Sequence, residues 1–394
     1  MADYDVITVG GGLGGAALAK VLAENGKRVL VVERETQFKD RIRGEYLCPW
    51  GVAELKRLGL YKTLHEKCAN EQPYFHSVGS PSRDLRTTTP QSLPALTFFH
   101  PSMQEIVLDT ARAAGAEIWR GATLREVHLG ANPEALIERD GQVRELTTRL
   151  IVAADGRSSS ARSWGGFETR RASQKLFGAG VILENVPGQP DTATVLLNPF
   201  AGRGGFFFPQ GGHRSRAYLV YGNDLPRLQG DQDGGRFIEE SLKSGMPAEL
   251  YRGARPVGPL ASFDMTENWV DNPYRNGLVL IGDAAGSTDP TWGQGLSLTS
   301  RDARVLAEEL LATDDWDAAG HSYATRHDTY FNVTRTVGQW QFDLFLAQGS
   351  EADARRVRAF PLLMTEPDRF PDHFLSGPEQ PFNEQVRKRF FGEI

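Results

Sequence analysis

Over its first thirty-three residues the chain changes hydrophobic period twice. Val6-Ile7-Thr8-Val9 is a short β-rich run, Ala17, Leu18, Val21 and Leu22 then recur at helical spacing, and Arg28 to Val32 is β-rich again, ending at Glu33. Gly10-Gly11-Gly12-Leu13-Gly14-Gly15 links the first run to the helix, and Asn25-Gly26 stops it. This predicts strand, turn, helix, strand, with the two strands parallel and joined by a right-handed crossover.

Downstream, Gly44 to Leu60 reads as a second helix carrying Val52, Leu55 and Leu58, closed by Gly59. Residues 73–97, rich in Pro, Ser and Thr, read as an excursion from the sheet, and Ser102–Ala114 is again helical. Glu117–Trp119, Leu124–His128 and Ala135–Glu138 read as strands, with Asp140-Gly141 as a hairpin turn before Val143 and Leu150–Ala154. From 178 to 265 the pattern is mostly β, with strand-like runs at Gly205–Phe208 and Arg216–Tyr221. A buried strand returns at Leu278–Ile281, followed by a Gly-rich loop. The helix after it carries Leu296, Thr299, Ala303, Leu306 and Leu310 on one face. The remainder from about 317 reads as helical until Pro361. Trp340, Phe342 and Phe345 in that part read as core.

Composition sharpens this picture in two ways. A 394-residue chain with 40% hydrophobic residues, 24% charged residues and a net charge of −6 has a sizeable core and no basic surface, which excludes disorder and a nucleic-acid partner. Forty-two glycines, about one residue in nine against a usual share of about 7%, point to backbone that bends sharply or approaches a ligand closely. Cys48 and Cys68 have neither CxxC nor histidine-pair spacing, so they read as ordinary thiols. The eight histidines form no metal-binding pattern. The acidic start Met1-Ala2-Asp3-Tyr4-Asp5 fits no leader peptide and no apolar run is long enough for a membrane span, so a cytoplasmic protein is expected.

The candidate chemistry begins at Gly10, Gly12 and Gly15, the three glycine positions of a GxGxxG turn between strand and helix, with Glu33 about twenty residues on. The first glycine makes the turn, the second admits a pyrophosphate to the backbone, the third lets helix and strand pack, and the carboxylate accepts ribose hydroxyls. Leu13, Gly14 and the adjacent Arg34 join these as candidate contacts of a dinucleotide, and Glu33 disfavours a 2′-phosphate there. This turn does not separate NAD from FAD. Further on, Gly282-Asp283-Ala284-Ala285 follows a buried strand and Gly293-Gln294-Gly295-Leu296 opens a helix, so Asp283 is a candidate for a cofactor hydroxyl and the helix start for an anionic ring edge. No Gly-x-Ser-x-Gly elbow occurs.

These motifs, together with Ala154-Asp155-Gly156-Arg157 and Arg162, stand in the order and spacing of class A flavoprotein monooxygenases, and the chain resembles that family, similar to p-hydroxybenzoate hydroxylase, up to about residue 315. The resemblance implies an α/β fold: a Rossmann-type FAD-binding domain (1–73, 98–177 and 270–330), an inserted β-rich substrate domain (74–97 and 178–269) and a C-terminal helical segment (331–394). It implies FAD as cofactor and NADPH or NADH as transient reductant. Asp155 would lie near the pyrophosphate, Asp283 at the ribityl chain, and Gly293, Gly295 and Leu296 at the ring edge. Arg43 resembles an arginine that guards the flavin and Gln104 a glutamine that contacts FAD. Oxygen added at the flavin C4a position would pass to an aromatic or polyketide-like small molecule, and no acid or base residue is assigned. Gly286 and Asp289-Pro290 replace residues common in the family beside the ring.

For the substrate, the paired runs Gly204–Pro209 and Arg214–Tyr218 offer Phe207, Arg214 and Arg216, with core packing or a solvated sheet face as the plainer reading of each, and Trp292 is placed near the flavin edge. Three alternatives share the front half. A flavin-dependent halogenase lacks support because no two tryptophans lie two apart. An alkene reductase of the geranylgeranyl reductase type would incorporate no oxygen, and a non-catalytic flavin redox sensor would carry a signalling module that is not seen.

Overall fold

The computed structural model describes residues 2–42 and 44–394, so Arg43 lies outside the described residues. Its main sheet runs in the order Tyr274–Arg275, Leu278–Leu280, Gln142–Ala153, Tyr4–Val9, Val29–Glu33, Glu117–Arg120. Tyr4–Val9 is parallel to both neighbours, and the register sets Ile7 against Leu30 on one side and Ile151 on the other, with Leu278 beyond. All four are fully buried, so a continuous aliphatic row crosses the sheet, each side chain contributing about 1.5–3 kcal/mol of burial. The strand Gln142–Ala153 serves two partners. Its first half is antiparallel to Glu134–Arg139 through the Asp140-Gly141 turn, where both residues have positive φ, and its second half joins the parallel sheet.

Three helices, Leu13–Glu24, His100–Ala113 and Gly295–Ala312, pack on one face of this sheet, with Leu18, Val107 and Leu306 in one cluster. The helix expected over Gly44–Leu60 is shorter and starts later. Gly44 has φ +76°, Tyr46-Leu47 pairs with Leu96-Thr97, and the helix begins at Pro49, where the missing N–H costs nothing, and ends at Arg57. A separate helix, Tyr61–Lys67, follows.

The second sheet has seven strands: Arg255–Asp264, Phe177–Glu184, Ser215–Tyr221, Arg203–Pro209, Thr192–Asn198, Tyr74–Ser77 and Arg83–Asp84. The segment after residue 73 therefore supplies two strands of the second sheet. A helix not foreseen in this part, Gly234–Lys243, covers the outer face with Phe237. The long helix Trp316–Phe345 is followed by Ser350–Thr365, which contains Pro361 in its interior instead of ending there. Trp340 packs with Val337, Leu344 and Phe390 in a separate cluster, with Phe345 against it. Phe342 packs against the main cluster. Among the described residues no helix is long and apolar enough to cross a membrane. The fold is thus a Rossmann-type α/β layer with a second, largely antiparallel sheet.

The third glycine of the turn is fixed by sterics, because a Cβ on Gly15 would overlap the carbonyl oxygen of Gly10. Gly15→Ala is expected to lower the Tm of the apoprotein, overpacking costing about 1–3 kcal/mol. Gly235→Ala, with open space around its Cβ, is expected to leave Tm unchanged or slightly raised. Circular-dichroism melts of the two variants check this, and equal Tm values contradict it.

Candidate active site

The carboxyl ends of the parallel strands open onto one cavity of about 470 Å³, the position at which open α/β sheets bind ligands. At one end it is lined by Gly10, Gly12, Leu13, Gly14, Glu33 and Arg34. The Glu33 carboxylate is buried and already engaged, accepting from Gly11 N at 2.8 Å and Glu35 N at 2.8 Å, so it shapes the glycine turn as well as facing the cavity. Gly12 has no side-chain cap to offer the helix Leu13–Glu24, and that helix has no acid in its first turn. Its first N–H groups are therefore unsatisfied by the chain and meet the cavity as a local positive field.

Midway, Gln104, Asp155, Asp283, Gly293, Gly295 and Leu296 line the walls. The Asp283 turn is held from behind: Asp302, buried, accepts from Gly282 N at 2.6 Å and from the Tyr330 hydroxyl. Asp155 Oδ2 accepts from Ser160 N at 2.9 Å while Oδ1 is buried without a hydrogen-bond partner, and burial holds its carboxyl above the usual range. Arg162, buried behind this wall, binds Arg157 O at 2.9 Å and Asn268 Oδ1 at 3.3 Å. The eighteen-residue helix Gly295–Ala312 also starts without a side-chain cap and without an acid in its first turn. Glu54 anchors it by accepting from Arg301 Nε at 2.9 Å and pairing with Arg304. Two uncapped helix starts thus face one cavity.

The far end is aromatic. Tyr46 stacks on Phe208 at 4.8 Å between centroids and meets Phe374 at 6.3 Å, and Tyr218 meets Phe208 edge-on at 6.2 Å and Phe263 at 6.4 Å. These rings, with Phe206, line the cavity.

The substrate-side expectations are corrected here. The two runs do pair, Phe206 opposite Tyr218 and Phe207 opposite Ala217, but strand alternation sends Phe207 away from the cavity into the outer core against Tyr251. Arg214 is also outside, 3.7 Å from Glu184. Arg216 shares the inner face but is 0% exposed and spent on Asp40 and Glu45. Trp292 does not line the cavity. It packs on Gly338 of the helix Trp316–Phe345 beside a small void shared with Glu267, Asp289 and Phe342. The neighbours Thr291 and Gly293 take the cavity positions. Sequence reading missed Glu45, Tyr46, Phe206, Phe208, Tyr218, Phe263 and Phe374. Period-two parity with Tyr218 was the available signal for Phe206 and Phe208. None existed for Phe374, which reaches the site from the C-terminal tail.

The FAD binding domain family matches residues 3–343, and the chain belongs to that family. It is 25% identical over 388 residues to squalene monooxygenase of Mus musculus, covering 91% of this chain and 65% of the relative, so it spans just under two thirds of that protein. It is 25% identical over 399 residues to 6-methylpretetramide 4-monooxygenase of Streptomyces rimosus, covering 93% of this chain and 90% of the relative. Its fold is similar to p-nitrophenol 4-monooxygenase PnpA of Pseudomonas putida DLL-E4, with a TM-score of 0.79, 20% identity and coverage of 94% and 96% of the two chains. Digeranylgeranylglycerophospholipid reductases and a flavin-dependent brominase are also among the similar proteins.

The residues present fit FAD. A glycine turn that a side chain would fill, two uncapped helix starts and the unpartnered Asp155 Oδ1 provide donors for phosphate oxygens and a ring edge and an acceptor for hydroxyls.

The cavity loop is braced by two buried carboxylates in series. Glu267 Oε1 accepts from Asp289 N at 3.0 Å, and Asp289 Oδ1 accepts from Thr291 N at 2.9 Å. Burial raises Glu267 to about 7 and Asp289 to about 6, only partly opposed by the hydrogen bonds they accept from Asp289 N and Thr291 N and, more weakly, by the charges of Arg335 and Arg157. Because the folded protein binds more protons here than the unfolded chain, stability falls as pH rises from about 4 to 7 and is flat above. Glu267→Gln, which keeps the acceptor without the charge, is expected to raise Tm at pH 8 by an amount equivalent to about 1–3 kcal/mol and to have little effect at pH 5. Melts at the two pH values check this, and the reverse order contradicts it.

Proposed function

We propose that the protein is an FAD-dependent monooxygenase that uses NADPH or NADH and places one oxygen atom of dioxygen on an electron-rich aromatic or polyketide-like small molecule. The observation that carries this reading is the aromatic end of the same cavity that the glycine turn and Asp283 line. Reduced FAD supplies the activation of dioxygen. The chain's part is to bind, orient and keep water out. Gly10, Gly12, Leu13 and Gly14 hold the pyrophosphate, with Gly15 packed behind them against Gly10, Glu33 and Arg34 hold the adenosine side, and Gln104, Asp155 and Asp283 the middle of the cofactor. The amides of Gly293, Gly295 and Leu296, with the helix dipole behind them, stabilise negative charge at the ring edge. The aromatic walls exclude water from the reacting end.

The division into FAD-binding segments (1–73, 98–177, 270–330), substrate segments (74–97, 178–269) and a helical C-terminal segment (331–394) belongs to this reading. It is supported by the strand Tyr74–Ser77 pairing with Thr192–Asn198. The oxygenase relatives support the reaction class.

Under ¹⁸O₂, the FAD-loaded protein with NAD(P)H and a hydroxyaromatic panel is expected to oxidise NAD(P)H faster with substrate present. One ¹⁸O per product is expected by mass spectrometry. Substrate-dependent NAD(P)H consumption with a product two hydrogens heavier and free of ¹⁸O would replace this reading with the alkene reductase.

A further inference from the structure

The wall of the aromatic compartment carries a charged cluster. Tyr218 donates its hydroxyl hydrogen to Glu45 Oε2, and both residues line the cavity. Behind them Arg216, fully buried, gives Nη2 to both oxygens of Asp40 at 2.8 and 2.7 Å. Its Nε lies 3.2 Å from Glu45 Oε1 without forming a hydrogen bond. The cluster therefore holds two carboxylates against one guanidinium, and Asp40 takes the larger share of it. Burial pushes the Glu45 carboxyl up, with Arg216 and Tyr218 opposing. At the same end the Tyr46 hydroxyl is buried with no hydrogen-bond partner.

This wall has a definite preference. The Tyr218 proton is committed to Glu45, so the phenolic oxygen presents lone pairs to the cavity and accepts from a ligand donor. A ligand carboxylate against Tyr218 would add an anion beside a cluster of two carboxylates and one guanidinium.

We propose that Glu45 and Tyr218 are the specificity-determining pair of the substrate compartment, selecting an uncharged hydroxyaromatic molecule whose hydroxyl donates to Tyr218 and rejecting its carboxylated counterpart. Tyr218 makes the contact, and Glu45 acts through it by fixing the direction of the phenolic proton. The proposal rests on the reading that this end of the cavity takes the substrate.

Titration of the oxidised, FAD-loaded protein with 2-naphthol and 2-naphthoate at neutral pH, followed by the flavin absorption spectrum, tests it. 2-Naphthol is expected to bind at least about tenfold more tightly. Tyr218→Phe is expected to lose about tenfold in 2-naphthol affinity with 2-naphthoate unchanged. Glu45→Gln is expected to narrow the ratio from the other side by improving 2-naphthoate. Should the Glu45 variant not fold, the Tyr218 variant alone decides. Equal affinities, tighter 2-naphthoate, no binding of either probe, or a ratio untouched by Tyr218→Phe overturns the proposal. The titration uses neither reductant nor oxygen, so these outcomes are separate from the isotope result on which the monooxygenase reading depends.

Discussion

Two helix starts that the chain itself leaves uncapped, at Leu13 and Gly295, face a single cavity, and most of what surrounds them follows from that constraint. A helix beginning without a side-chain acceptor carries several unsatisfied N–H groups, which are tolerable only against water or an anionic ligand. The parallel order of Tyr4–Val9, Gln142–Ala153 and Leu278–Leu280 brings both starts to the same edge of the sheet. Gly10 and Gly15 let backbone touch backbone there. The Glu33 carboxylate holds Gly11 N so that the turn stays open towards the cofactor. The Glu54 bridge to Arg301 and Arg304 and the Asp302 grip on Gly282 do the same for the second start.

The second sheet closes this arrangement and gives it an apolar end. Its inner face alternates large rings with the Arg216 cluster, and its outer face is sealed by a helix that buries Phe207 and Phe237. The ion cluster links Asp40 and Glu45, from the segment after the first βαβ unit, to the Ser215–Tyr221 strand. A charged group that sequence suggested as a ligand anchor thereby becomes a fastening between two layers, and the charge it leaves towards the cavity is acidic. The proposed preference for hydroxyl donors over carboxylates rests on that reversal.

How much of this was legible in the sequence depended on how local each signal was. The strand, glycine turn, helix and strand of residues 4–33, and the helix from Gly295, were readable because periodicity and turn chemistry lie within one window. The false helix start at Gly44 came from a positive φ and a strand partner fifty residues away at Leu96-Thr97. Pro361 was read as a breaker, yet the helix Ser350–Thr365 runs through it. Phe207 failed on parity alone: neighbouring aromatics on one strand cannot share a face, and only the register with Tyr218 says which one turns inward. Arg216 failed because its partner Asp40 is 176 positions away, and Trp292 because the helix Trp316–Phe345 that receives it carries no mark of that contact.

The central claim is that FAD takes the place of the missing caps, and Gly12→Asp tests it most directly. Gly12 has extended backbone that any residue adopts, and its Cβ would lie 3.2 Å from the movable end of Gln104. Aspartate there supplies the N-cap acceptor the helix lacks and a negative charge where phosphate is expected. The account predicts that FAD affinity, measured by titrating the apoprotein and following flavin fluorescence, falls at least about tenfold while the Tm of the apoprotein holds or rises. Unchanged FAD affinity in a folded Gly12→Asp protein would contradict it.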